Sequence, residues 1–183
     1  MLEAFQRALM QPAGEVFGVS LKPYTLAHSA MLSMLGNPFA EDSETDTANI
    51  GELGTAVAVL TVEPASVFSL TVEEYADIAN SIGERAASLN LEAEAAKLRE
   101  HLASFRAVPE RWVSKGKGKS LSSPWQFLAV VRLLSCGLAA SESEAWAMPC
   151  GKALCLISAY DELNGTVELV SEKEAQIMGA SND

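Results

Sequence analysis

Apolar residues recur at spacings of three and four along most of this chain, which is the pattern of amphipathic helices. In the first third of the chain, this spacing predicts helices over residues 1–12, 25–35 and 49–62. Thr25 is a suitable N-cap for the second of them, because its hydroxyl can accept a hydrogen bond from the first turn. Residues 16–21 alternate loosely between apolar and polar, so they could form a short extended piece.

The longest helical pattern covers residues 72–105. It starts at a capping box, in which Thr71 and Glu74 stand at the spacing that lets each side chain bond the other residue's backbone N–H. The apolar stripe then runs on without a clear break. The segment could be one long helix, or two helices kinked near residues 88–90 with Asn90 as the second cap.

Three further helices are predicted after residue 122, over 123–139, 142–147 and 149–163. Residues 166–170 could form a short strand or extended piece. A capping box at Ser171–Glu174 then predicts a terminal helix that ends at Gly179.

Two segments lack the helical pattern. Residues 40–48 are acidic and polar, and they predict a solvated loop. Residues 106–122 are rich in Lys, Arg and Gly and predict a basic flexible loop. The whole chain is therefore predicted to be a single all-α domain over 1–183, with about six to eight helices and at most one small β element. The basic loop separates a helical part at 1–105 from another at 123–183.

The charge of the chain narrows the choice of partners. A formal net charge of −11 and a pI of about 4.6 disfavour nucleic acids and anionic membranes, because both carry negative charge. The longest apolar stretch, residues 125–140, is interrupted by Arg132 and is shorter than the roughly 20 residues of a spanning helix. The N-terminal segment does not have the pattern of a signal peptide. A cytoplasmic location is the expectation.

The candidate chemistry favours no catalytic, cofactor or metal site. Cys136, Cys150 and Cys155 lie in apolar helical contexts and are interpreted as buried free thiols. The alternative for Cys150, near a helix start, is a lowered pKa and a reactive thiolate. His28 and His101 each stand alone on a predicted helix, so neither predicts a metal centre. An enzyme built from scattered Cys, His and carboxylate groups is the alternative class.

The basic loop contains alternating Lys and Gly over residues 115–119, followed by Ser120. It does not have the spacing of a phosphate-binding P-loop, because the first Gly of that motif is missing and a helix precedes it. A solvated linker is the first interpretation. An anion-binding or partner-docking loop is the alternative.

Short phrases rich in Trp, Pro and acidic residues mark two parts of the chain. They are Leu21-x-Pro23-Tyr24-x-Leu26-x-His28 and Gly36-Asn37-Pro38-Phe39 early on, and Pro124-Trp125, Ser141-Glu142-x-Glu144-Ala145-Trp146-x-Met148-Pro149 and Ala153 later. This combination resembles small proteins encoded among the tail genes of bacteriophages and prophages, including the tail assembly chaperones. The resemblance implies a helical, non-enzymatic protein of virion morphogenesis that binds the long tape measure protein in the host bacterial cytoplasm.

Two other functions stay open beside an assembly chaperone. One is a structural virion component, such as a tail or neck adaptor, and the other is an interaction protein of unrelated role. Core packing is the first interpretation of the Trp and Met side chains, but both types also suit a protein interface. A protein partner and a possible homo-oligomer are expected. The candidate partner-binding residues are Met31, Met34, Trp125, Trp146, Met148, Lys115, Lys117 and Lys119.

Overall fold

A computed structural model describes residues 6, 14–40, 49–86, 89–106, 108–109, 122–171 and 174. These residues confirm the predicted all-α class with one small β element. In chain order the elements are β1 (Gly14–Val16), β2 (Val19–Leu21), α1 (Leu26–Met34), α2 (Ile50–Thr61), α3 (Val72–Ala86), α4 (Leu91–Ser104), α5 (Trp125–Ser135), α6 (Glu142–Ala147) and α7 (Cys150–Leu163). Short 3-10 turns at Pro38–Ala40 and Pro64–Ser66 follow α1 and α2.

The extended piece predicted over residues 16–21 is part of an antiparallel hairpin. Phe17 and Gly18 form its turn, and both have positive φ, which a two-residue hairpin turn of this kind requires. A bulky residue such as Phe17 rarely adopts this conformation. Its N–H donates a 2.6 Å hydrogen bond to the buried carboxylate of Glu94 on α4, so tertiary contact holds the turn in place.

The segment 72–105 is two helices, which decides the alternative that the pattern left open. The capping box at its start is present, with Glu74 N–H donating to Thr71 Oγ1 and Thr71 N–H donating to Glu74 Oε2. α3 ends at Ala86 and α4 begins at Leu91. Asn90 caps α4 through its side-chain oxygen, which accepts from two backbone N–H groups of the first turn.

α2 lies deep in the core, since every residue from Ala56 to Leu60 is inaccessible to solvent. α3 packs along it. A β-carbon placed at Gly54 would lie only 3.3 Å from the carbonyl oxygen of Ala79, so the absence of a side chain lets the two helices approach closely.

Backbone hydrogen bonds join the segment before α1 to the start of α7. Leu26 N–H donates to the carbonyl of Met148 at 3.0 Å, and Cys150 N–H donates to the carbonyl of Tyr24 at 3.0 Å. Thr25 caps α1 as predicted. One cluster of buried side chains extends from Val16 to Ile157, so the parts before and after the basic loop share a core.

One prediction in the C-terminal part is wrong. The helix predicted to reach residue 139 ends at Ser135, because Gly137 adopts positive φ and Leu138 N–H bonds back to the carbonyl of Leu133, as in a Schellman motif. Residues 167–170 lie outside the helices and include a bridge residue at Leu169, which agrees with the extended piece predicted over 166–170. Leu169 and Val170 are both buried.

Several predicted segments lie largely or wholly outside the described residues. These are the helix over 1–12, the loops over 40–48 and 106–122, and most of the helix over 171–179. The capping box that opens the last of them is present, with Ser171 N–H donating to Glu174 Oε2 at 2.8 Å. In the part of the chain that is described, no helix is long and apolar enough to cross a bilayer.

Candidate partner-binding face

One side of α5 presents apolar side chains to solvent. Phe127, Val131 and Leu134 are 43%, 63% and 37% exposed. Their spacing of four and three residues places them on a single face of the helix. The core-facing side of the same helix is formed by Gln126, Ala129, Val130 and Leu133, which are buried. α5 is therefore apolar on both its inner and its outer side.

Aromatic side chains from other elements extend this surface. The Trp146 ring, on α6, lies edge-to-face with Phe127 at a centroid distance of 5.0 Å and with Phe68 at 5.1 Å. Trp146 is almost fully buried, whereas Phe68 is 43% exposed. Edge-to-face pairs of this kind stabilise the packing of the rings by more than the burial of their area alone. Trp146 therefore supports the rings of both phenylalanines. We call Phe68, Phe127, Val131, Leu134 and the edge of Trp146 the α5 face.

Among the residues that the structure describes, one acidic side chain lies beside the aromatic end of the α5 face. The indole Nε1–H of Trp146 donates to the carboxylate of Glu142 at 3.2 Å, which places this exposed acid beside the aromatic cluster. Arg132 is the charged residue of α5, but it lies on a different side of the helix. Its guanidinium pairs with Asp161 and lies 5.4 Å from the centre of the Tyr160 ring.

Apart from the α5 face, a concave region lies between α1, α5 and α7. It is a cleft of about 390 Å³ lined by Tyr24, Ser33, Ala40, Arg106, Val108, Trp125, Gln126, Cys150 and Leu154. The Arg106 guanidinium lies 5.3 Å from the Tyr24 ring centre and donates to the carbonyls of Phe39 and Ala40. The Gln126 amide donates to the hydroxyls of Ser29 and Ser33. These contacts are structural, because each polar group bonds another part of the same chain.

The alternative of a reactive Cys150 is wrong. The thiol is buried, and burial raises its pKa to about 12, so the thiolate is not populated near neutral pH. Burial also raises the pKa of Cys155, to about 11. Cys136 departs from the buried-thiol interpretation, because it follows the last turn of α5 and is half-buried.

Both histidines are structural groups in the core. His28 Nε2 lies 2.9 Å from the carbonyl oxygen of Val62, and His101 Nε2 lies 3.0 Å from that of Lys22. Burial lowers the pKa of each imidazole below its usual 6.5. Among the described residues, no group of three or more His, Cys, Asp or Glu side chains is placed to hold a metal ion.

The partner-binding residues predicted from the sequence do not lie together on one surface. Met31 and Met148 are buried in the core, and Met34 is 68% exposed at the end of α1. Trp125 is 42% exposed at the rim of the cleft, whereas Trp146 lies beneath the α5 face. The three lysines of the basic loop, Lys115, Lys117 and Lys119, lie outside the described residues.

Sequence reasoning missed Phe68, Phe127, Val131 and Leu134. The sequence of α5 did carry a signal for an exposed apolar face. A helix with apolar residues on two opposite sides is normally enclosed by the protein or covered by a partner. Periodicity alone does not say which of its two apolar sides faces the core. No comparable signal marks Phe68, which lies in a turn before α3.

The fold and this surface together define a small all-α protein with an exposed aromatic and aliphatic face on α5. The chain was compared with protein-family models, curated proteins and solved structures, and none of them matches it.

Proposed function

We propose that this protein is non-enzymatic and binds a helical segment of another protein through the α5 face. Within that class, we propose a tail assembly chaperone of a phage or prophage, with the tape measure protein as its client in the host cytoplasm. The observation that carries the proposal is the exposure of Phe127, Val131 and Leu134 on one face of a helix whose opposite face is fully packed.

An apolar patch bordered by polar groups is typical of a protein-interaction site, since leaving it in water has a cost. If a partner covers the exposed part of these three side chains, each would contribute on the order of 1 kcal/mol to the free energy of binding. Side chains at this spacing form one apolar stripe along α5, on which an amphipathic partner helix can lay its own apolar side. A helical client is therefore the partner whose shape agrees best with this surface.

The more specific proposal draws on the position of the phrases that resemble the tail proteins. The phrase from Ser141 to Pro149 forms α6 and the start of α7, and it supplies Trp146, which supports Phe127. The phrase Pro124-Trp125 forms the start of α5 itself. The two later phrases therefore border the α5 face, and they supply the Trp146 ring that contacts Phe127.

Co-expression with tail proteins tests this function. The gene for this protein is expressed together with tagged tape measure and tail tube genes from the same genome, and complexes are isolated by the tag. We expect a complex with the tape measure protein that is stable to gel filtration. No complex with either tail protein would contradict the proposal.

Mass spectrometry of purified particles separates a chaperone from a structural virion component. A chaperone leaves before the tail is complete, so the protein should be missing from finished virions. Its recovery in stoichiometric amounts would favour a tail or neck adaptor instead.

A further inference from the structure

We propose that the α5 face binds a cationic amphipathic helix, with Lys or Arg side chains on either side of its apolar stripe. This inference rests on the proposed function, because it names the chemistry of the client segment and the surface that receives it. The apolar side chains of the client pack on Phe127, Val131 and Leu134, and its cations lie toward Glu142.

The shape of the face fits one helix. Phe127 and Leu134 are separated by two turns, or about 10.5 Å along the axis of α5. A partner helix with apolar residues at the same intervals can place one side chain beside each of the three. The exposed ring of Phe68 widens the Phe127 end of the stripe, and the buried Trp146 ring supports both phenylalanines from below.

The described carboxylate beside the face favours a cationic partner. Glu142 is exposed and is held beside the aromatic cluster by its hydrogen bond with Trp146. Arg132 does not offset this acid, because its guanidinium pairs with Asp161. Complementary charge accelerates association and disfavours partners of the wrong sign.

The same charge argues against a second copy of this chain as the occupant. Each copy has a formal net charge of −11, so two copies brought together at this face would repel each other. A cationic helix instead places its positive charge beside Glu142 as its apolar side covers the stripe.

A designed peptide tests the inference directly. The probe is a fluorescein-labelled helical peptide with Leu at the spacing of the α5 stripe and Lys at the flanking positions. Two comparison peptides replace Lys by Glu, or keep Lys and scramble the Leu positions. We expect saturable binding of the first peptide by fluorescence anisotropy, and at least about tenfold weaker binding of each comparison peptide.

Variants locate the binding surface. Val131→Asp should weaken binding of the Lys peptide at least about tenfold, because it places a charge in the centre of the apolar contact. Leu163→Asp is the matched control, since Leu163 is an 85% exposed apolar residue at the end of another helix, α7. Val131→Ser is the milder variant if the aspartate lowers solubility, and circular dichroism checks the fold of all three.

Glu142→Gln tests the charge separately, because glutamine can still accept the Trp146 hydrogen bond. It should weaken binding of the Lys peptide by about threefold to tenfold and reduce its dependence on salt. Glu100→Gln, at an exposed position of α4, should leave both unchanged.

Three results would overturn the inference. They are equal affinity for the Glu and Lys peptides, equal effects of Val131→Asp and Leu163→Asp, and a stable dimer that Val131→Asp converts to a monomer. Failure here differs from failure of the proposed function. A tape measure complex that survives Val131→Asp rejects only the docking surface, whereas peptide binding without any tail-protein complex rejects only the tail function.

Discussion

Two buried histidines hold the segment that connects β2 to α1. Because a carbonyl oxygen can only accept, the Nε2 atoms of His28 and His101 carry the proton in their bonds to Val62 and Lys22. His28 Nδ1 then accepts the N–H of Thr25 at 3.3 Å, which completes the cap of α1. A second proton on Nδ1 would remove this acceptor, so the fold favours the neutral imidazole.

The protein should therefore lose stability as the pH falls below about 6.5. The pKa of both histidines is lowered in the folded state, so the unfolded chain takes up protons first, and each histidine contributes its full stabilisation only above the unfolded pKa. Urea unfolding between pH 8 and pH 5 measures this loss. His28→Gln should cost about 1–3 kcal/mol at pH 8 and show a shallower pH dependence. An unchanged pH dependence would contradict the assignment.

The cysteines should differ sharply in reactivity. Cys150 and Cys155 are buried, and the pKa of each thiol is raised, to about 12 and about 11. Iodoacetamide at pH 8 should therefore modify Cys136 first in the folded protein, and the other two only after urea is added. Peptide mapping by mass spectrometry gives the order of labelling, and early modification of Cys150 would count against the packing of α7.

At the level of elements, the close contact between α2 and α3 depends on Gly54, which has no side chain. Gly54→Val should destabilise the protein by about 1–3 kcal/mol, because the new side chain would meet the Ala79 carbonyl and force the helices apart. Urea unfolding followed by circular dichroism measures the change.

A second glycine on the same pair of helices provides the control. A β-carbon at Gly83 would meet nothing within 4 Å. Gly83→Ala should therefore stabilise α3 by about 0.5–1 kcal/mol, because alanine loses less backbone entropy in a helix. If Gly54→Val were as harmless as Gly83→Ala, the close approach of α2 and α3 would be wrong.

At the level of the whole molecule, the parts before and after the basic loop should unfold together. They share one cluster of buried side chains, and the backbone bonds between Leu26 and Met148 and between Tyr24 and Cys150 cross between them. Tryptophan fluorescence and circular dichroism should give coincident urea transitions. Two separated transitions would show independent domains.

A fragment comparison tests the same point. A fragment of residues 1–121 lacks the helices that cover α1, which leaves Leu26 and Ala30 without part of their packing. The stabilisation lost with this packing should exceed the free energy of unfolding of a domain this size, which is about 5–15 kcal/mol. The fragment should therefore show no cooperative transition, whereas a cooperative transition would show that it folds alone.

Local signals along the chain determined most of the helices and their class. Caps such as Thr25, Asn90 and Ser141 act within a few residues of themselves, so their effect can be predicted from neighbours alone. The end of α5 was missed because the Gly137 signal competed with further apolar residues. The apolar pair Leu169 and Val170 predicted an extended piece, and both residues lie outside the helices and are buried.

The tertiary structure alone decided which apolar residues reach solvent. Phe127, Val131 and Leu134 are as apolar as the buried side of α5, and only the packing of α5 on α1, α6 and α7 leaves them outside. It also decided that Cys150 has a raised pKa. A position near a helix start lowers the pKa of a thiol that is open to water, whereas burial raises it. Periodicity records the faces of a helix, but the choice between two apolar faces depends on residues distant in the chain.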